Sequence, residues 1–447
     1  MISICAEFLR KEALQAIVVG RFPYLFIDES QDTNKDLIES FFALEAANEG
    51  RFCLGLFGDM MQRIYMDGKP RLERAVPTWW ATPEKKMNWR CPPRVVSLIN
   101  EVRKPVDDRS QDPAPGKPEG FVRCFILPSH VEKKEDAEDG IAKRMAEITA
   151  DPNWVPLDGR KTLTLEHHMA ARRLRFAGFF MPLYRVRDFR TGLLDGSLSG
   201  IPLFIRAILP LTNAIKEGNQ FEIARIIRSQ SPLLKAKTLR TESDPTQNLE
   251  RVRVAVRELE KCIKDASVNC MDVLRIVSAH GLFDVPENLR ATLRADAVGI
   301  ATAPDDPNVT TEGAVAGWHE ALQAPLSQLA IAANYLSETS SFDTHQGVKG
   351  REFPRVMVIM DDEDARGFTF NFEKLFEVTP KSQRDLQNEA EGEETSSDKT
   401  RRLFYVTCSR AESSLALVVY TADPAAAKGF FVRRGWFSAT EVEVLGV

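Results

Sequence analysis

The sequence predicts an α/β fold, and three observations carry that prediction. Short apolar runs rich in β-forming residues recur at 24–27, 52–57, 121–127, 356–360 and 415–420. Between them lie stretches whose apolar residues return at helical spacing. The first two runs stop abruptly at polar residues, Asp28-Glu29 and Gly58-Asp59, as expected where buried parallel strands deliver their C-terminal residues to a ligand crevice.

The elements follow in order. Residues 1–19 read as helix, with Ile4, Phe8, Leu9, Leu14 and Ile17 forming a stripe. Residues 24–27 read as a strand buried on both faces. Residues 32–47 place Leu37, Phe41 and Leu44 on one helical face, and 52–57 form the next strand, so 1–80 supply part of a doubly wound sheet. A helix at 95–102 follows Pro92-Pro93, and the Pro-, Asp- and Gly-rich 104–120 reads as loop. A strand at 121–127, an amphipathic helix at 135–148 and a strand at 161–165 running into 166–176 open a second α/β domain. Within 201–337, Ile223, Ile226 and Ile227, then Val252, Val256, Leu259 and Ile263, give helical stripes. Residues 356–360 read as a buried strand and 361–364 as an acidic exit loop. The acidic, Ser-rich stretch 387–399 reads as a solvated or disordered excursion, and 415–420 as a final strand.

Composition bounds the function. With 447 residues, 43% hydrophobic and 28% charged, the chain is globular and long enough for two or three domains. No apolar run reaches bilayer length, and Glu7, Arg10, Lys11 and Glu12 break any signal-peptide core. A cytoplasmic protein without a membrane partner is expected. Seven scattered cysteines without a CxxC pair fit reduced thiols better than a disulfide frame or zinc site. A net charge of −5 gives no global basic footprint, although a narrow groove can hold single strands through local cations and aromatic stacking.

Asp28 and Glu29 at a strand end suit a site in which Asp28 holds Mg²⁺ and Glu29 orients or deprotonates a water. The dipeptide alone is equally compatible with a surface turn carrying two solvated acids. Three further stretches add weight: Gly58-Asp59-Met60-Met61-Gln62-Arg63-Ile64-Tyr65; Thr344-His345-Gln346-Gly347-Val348-Lys349-Gly350-Arg351-Glu352-Phe353; and Arg401-Arg402-Leu403-Phe404-Tyr405-Val406-Thr407-Cys408-Ser409-Arg410-Ala411. Together with DESQDTN at 28–34 they resemble, in order, motifs III, V, VI and II of the UvrD/Rep/PcrA family of superfamily 1 DNA helicases. Asn88-Trp89-Arg90 resembles that family's motif IV.

The resemblance spans about 22–420. It implies two RecA-like lobes, the first incomplete, with a helical insertion in the second. The corresponding segments are 1–80 for the partial first lobe, 81–200 and 338–447 for the second, and 201–337 for the insertion. It further implies ATP and Mg²⁺ as ligands, with Asp28 on the metal, Glu29 on the attacking water and Gln62 sensing the γ-phosphate. Arg90 and Arg410 become arginine fingers, Glu352 a contact to the nucleotide sugar, Tyr65 a base-stacking ring, and Thr344 and His345 neighbours of the DNA path. Taken singly, Gln62 also reads as a turn amide, Arg90 as a surface cation and His345 as an ordinary hydrogen-bonding histidine. The implied partners are single-stranded DNA or a single-strand/duplex junction, and a nuclease or other defence or repair protein.

The sequence departs from the family at several points. Tyr65 is followed by Met66-Asp67-Gly68 rather than a tryptophan, Trp89 replaces a tyrosine, and Thr400 stands where a Glu is usual. The largest departure is the missing P-loop. Gly-Lys occurs only at Gly68-Lys69 and Gly116-Lys117, each followed by Pro, so no glycine-rich cradle with its Lys and Ser or Thr is present. The expectation is an ATP-dependent 3′–5′ DNA helicase read from motif II onward and inactive alone. The alternative is a degenerate helicase-like module that binds DNA or a partner without turnover.

Overall fold

A computed structural model describes residues 2–235, 245–265, 267–297, 310–337, 339–367 and 369–446. Strands alternate with helices throughout the first and last parts of the chain, giving the α/β class expected. The chain divides into two compact units, Met1–Glu166 with Phe342–Val447, and His167–Ser341.

The first unit holds two parallel sheets. The smaller pairs β1 (Tyr24–Ile27) with β2 (Cys53–Leu56) in register Tyr24 to Cys53 and Ile27 to Leu56. Parallel neighbours require a crossover, supplied by the helix Lys35–Ala47, whose N-cap Asn34 accepts from the Asp36 amide. The 1–19 stripe divides into two helices, Ile2–Leu9 and Glu12–Arg21. These helices cover one sheet face, where Leu9, Val19, Leu44, Phe52 and Leu54 cluster. The other face is bare: Tyr24 is 68% and Phe26 63% exposed. The expectation that β1 is buried on both faces is thereby corrected. One neighbouring strand and helices on a single side cannot cover it.

The larger sheet is built of β5 (Phe121–Pro128), β6 (Lys161–Thr164), β7 (Phe342–Thr344), β8 (Phe353–Asp361), β9 (Ala411–Thr421) and β10 (Val442–Val444), in the order β10-β5-β9-β8-β6-β7. Every pairing is parallel. Its central strands read as near-continuous apolar runs because both faces are covered. Val122, Cys124, Val358, Met360, Leu417 and Val419 share a core with Phe376, Phe404, Phe431 and Trp436. Two short strands, β3 (Met87–Asn88) and β4 (Asp112–Pro113), pair beside this sheet, so 104–120 is not wholly loop.

Two acidic segments also differ from expectation. Asp361 caps the short helix Asp362–Ala365, accepting from the Asp364 amide, where an exit loop was expected. The stretch around 387–399 is helical at both ends, while Gln387, Glu389, Ala390, Glu391 and Glu393 stay exposed to solvent as expected. The helix Gln383–Ala390 carries a capping box between Ser382 and Asp385, and Ser396–Cys408 carries one between Thr395 and Asp398. Three carboxylates of 387–399 have specific partners: Asp398 in the capping box, Glu389 with Lys381 at 2.7 Å and Glu394 with Arg402 at 3.1 Å, which composition alone does not reveal. Thr400, fully buried, accepts from the Asn371 amide at 2.9 Å.

The second unit contains no strand among its described residues. Its helices include Ala177–Arg185, Gln220–Gln230, Pro245–Cys262, Cys270–Ala279 and Leu326–Tyr335. Ile223, Ile226, Ile227, Val252, Leu259 and Ile263 are buried, and Phe204 stacks on the fully buried Trp318 with ring centroids 6.4 Å apart. This unit opens at His167, whereas the helical insertion was expected from Ile201. Residues 236–244 and 298–309 of that expected stretch lie outside the described residues.

Candidate functional site

The site grows from the ends of β1 and β2. Immediately after β1, Glu29 adopts a left-handed backbone (φ +50°), uncommon for a residue with a side chain. Its amide donates to Asp28 Oδ1 at 2.9 Å. The turn leaves Asp28 exposed and Glu29 half exposed, while Gln31 folds beneath it, buried. Gln31 Nε2 donates to Glu29 Oε2 at 2.7 Å. Gly58, just beyond β2, makes room for this arrangement, since a Cβ there would lie 2.1 Å from Gln31 Oε1.

Lys349 reaches the same carboxylate, with Nζ 2.8 Å from Glu29 Oε2, and also pairs with Asp32. Its ammonium lies 5.7 Å from the Tyr65 ring centroid. Partial burial works to raise the Glu29 pKa, but Lys349 and Gln31 outweigh it, with Arg410 adding a smaller pull, and the carboxyl stays below its usual range.

The arginines come from the larger sheet's side. Asn88, at the end of β3, accepts through Oδ1 from the amides of Arg90 (3.0 Å) and Cys91 (2.8 Å), which shapes the turn carrying Arg90. Arg90 Nε donates to Glu352 Oε2 at 2.7 Å, and that contact holds the Glu352 carboxyl below its ordinary value. Arg410 is 1% exposed. It donates to the Val406 carbonyl at 2.9 Å, the Arg351 carbonyl at 3.2 Å and Ser409 Oγ at 2.8 Å. Burial, then the neighbouring Arg90 charge, lower its pKa to about 10, which still leaves it protonated at neutral pH.

Gln62, Arg90, Glu352 and Arg410 line one cleft of about 360 Å³, together with Lys85, Asn88, Trp89, Gln111, Tyr405 and Ser409. Glu29 is close enough to Arg410 for each to shift the other's titration. Asp28 is not among the lining residues. Tyr65 is 44% exposed. Thr344 and His345 do not reach a surface: Thr344 accepts from the Gly347 amide at 3.0 Å, and His345 is fully buried, 5.8 Å from the Phe372 ring. Burial drives the His345 pKa down to about 4. Both side chains are buried, so neither is presented to a strand in this arrangement.

Lys349, Gln31, Asn88, Gln111 and Tyr405 were not singled out from sequence. Lys349, Gln31 and Tyr405 lie inside the motif stretches, and Asn88 inside the motif IV triplet, so the signal was adjacency to a named residue. Gln111 sits in a stretch that composition marks only as loop.

The donor set fits a nucleotide in part. Mg²⁺ is commonly held by one or two carboxylates plus substrate phosphates, and exposed Asp28 can serve so. No group of three or more His, Cys, Asp or Glu able to hold a metal occurs among the described residues. Two arginines facing a carboxylate suit a polyphosphate, but no GxxxxGK[ST] cradle exists in the sequence. The residues of this sequence do not by themselves complete a triphosphate site.

No family model matches the chain. A curated relative is the Gabija protein GajB of Bacillus cereus (strain HuB5-5), 24% identical over 445 residues, covering 92% of this chain and 60% of that protein. The chain thus spans about three fifths of the length of the relative it matches.

Proposed function

We propose that this chain carries the γ-phosphate-facing and DNA-facing residues of a UvrD-like, 3′–5′ ATP-dependent DNA helicase of the GajB kind, built on two RecA-like lobes. One observation carries the reading: Gln62 from the first lobe shares a cleft with Arg90, Glu352 and Arg410 from the second, with Glu29 opposite Arg410. In this reading Asp28, outside the cleft lining, would hold Mg²⁺ together with the phosphates of ATP, and Glu29 would orient water once released from Lys349. Arg90 and Arg410 stabilise charge on the leaving phosphate. Closure of the lobes then moves single-stranded DNA past Tyr65. A nuclease or other defence or repair protein is the partner class.

The missing phosphate cradle favours a second reading, a helicase-like module that binds DNA or a partner without turnover. Two measurements separate them. The chain should bind a fluorescein-labelled oligo(dT) by anisotropy under either reading, and hydrolyse ATP only at background. Extending it with a segment bearing GxxxxGK[ST] should give DNA-stimulated phosphate release that Glu29→Gln abolishes. Release at helicase rates by the chain alone would overturn the first reading's account of the cradle. Absence of release after extension would leave the binding module.

A further inference from the structure

A line of hydrogen bonds crosses from the first lobe to the turn that bears Arg90. It starts at Asp59, just past β2, whose carboxylate accepts from the Met61 amide at 3.1 Å and pairs with Arg103 at 3.0 Å. The Tyr405 hydroxyl, 1% exposed, donates to Asp59 Oδ2 at 3.2 Å. Gln111 Nε2 donates to that hydroxyl at 3.0 Å, and Asn88 Nδ2 donates to Gln111 Oε1 at 2.7 Å. Asn88 Oδ1 in turn accepts the amides of Arg90 and Cys91. Every donor in the series points toward the carboxylate, so each bond polarises the next in the same sense.

The backbone makes this line specific rather than incidental. Pairing of Met87 with Asp112 and of Asn88 with Pro113 sets Gln111 just before β4, within reach of the Asn88 side chain. Asn100 holds Gln111 from both sides, accepting its amide at 2.9 Å and donating to its carbonyl at 2.8 Å. Gln111 therefore has a fixed position, and Asp59 is met from that side by the Tyr405 hydroxyl and, beside it, by the Arg103 ion pair. Arg103 and Asp107 complete the charged surroundings of that link, with Arg103 Nε 2.6 Å from Asp107 Oδ1.

We propose that Asp59, Tyr405, Gln111 and Asn88 form a relay that senses apposition of the two lobes and positions Arg90 in the cleft. The assignment of Arg90 as a phosphate-facing group rests on the function proposed above; the mechanical coupling does not. Tyr405 and Asp59 are positioning residues: they hold the turn, and Arg90 makes the contact.

The test has two arms. In hydrogen exchange on the full chain, Tyr405→Phe and Asp59→Asn should each speed exchange of the Arg90 and Cys91 amides at least tenfold while β8 and β9 keep their protection. The double variant should add nothing further. Unchanged exchange at 90–91 in a folded Tyr405→Phe protein would overturn the relay. If Tyr405→Phe fails to fold, Gln111→Met reads the same link from its other side. The second arm measures tripolyphosphate binding by calorimetry. Tyr405→Phe should weaken it severalfold and have no effect in an Arg90→Ala background. Additive losses in that background would overturn positioning. Wild-type protein that ignores tripolyphosphate would count against the cleft as a polyphosphate site, while the exchange arm still decides the relay.

Discussion

Lys349 Nζ lies 2.8 Å from Glu29 Oε2 and pairs at the same time with Asp32. A cation from beside the larger sheet is thus seated on the acids that follow β1. Its charge lowers the Glu29 pKa against the opposing effect of burial. Lys349→Met should therefore raise the Glu29 carboxyl pKa, read by carbon-13 NMR titration of labelled glutamate. A pKa that stays put would assign the depression to Gln31 instead. Because the folded-state pKa is depressed, the contribution of this contact to stability is present above the ordinary carboxylate range and disappears on acidification.

Arg63, Glu394 and Arg402 form a buried triad. Glu394 pairs with Arg63 and, at 3.1 Å, with Arg402, whose Nε also donates to the Arg63 carbonyl at 2.8 Å. Removing the one anion leaves two buried cations facing each other. Glu394→Ala should cost about 3–5 kcal/mol in urea unfolding, and Glu394→Gln less, because the amide oxygen still accepts. A loss below about 1 kcal/mol for Glu394→Ala, within the range of exposed pairs, would show that the triad does not act as a buried charge cluster.

His345 is buried and neutral with a pKa of about 4, against about 6.5 unfolded. The unfolded chain binds the extra proton, so stability falls as pH drops from about 6.5 to 4. The linkage amounts to roughly 3 kcal/mol. His345→Leu should flatten the melting temperature over that interval and leave oligo(dT) affinity unchanged. Tyr65→Ala, by contrast, should weaken oligo(dT) binding by about 1–3 kcal/mol if the ring stacks a base.

The bare face of β1, with Tyr24 and Phe26 exposed and Phe57 edge-on to Phe26 at 6.0 Å, is an aggregation surface. Phe26→Lys should raise the concentration at which light scattering appears without lowering the melting temperature by more than a few degrees. Residues 1–80 expressed alone should precipitate, and a stable soluble monomer would count against this account of the small sheet.

Local pattern revealed the longer strands β1, β2, β5, β6, β8 and β9 and the helices of the first part of the chain. β1 follows from its run of adjacent residues, whereas β8 and β9 begin three and four residues before the apolar runs that mark them, and the helix Pro93–Arg103 starts at Pro92-Pro93. What sequence could not show depends on partners distant in the chain. Gln111 reads as loop until β3 and β4 pair, and Glu394 reads as solvated until Arg63 and Arg402 are seen around it. His345, set near DNA by resemblance, is sealed by Phe372. The cleft itself was legible as a list of residues through their motif spacing, whereas Lys349 occupying Glu29 emerges only from the folded arrangement.

The segment leading from the helix Gln383–Ala390 to Thr395 reaches the residues that follow β2, through Glu394 on Arg63 and the Gly392 carbonyl on Arg71. Arg63 directly follows Gln62. Leu386 of that same helix faces solvent, 53% exposed, so the element leading into the segment that holds the neighbour of Gln62 is accessible from outside the cleft.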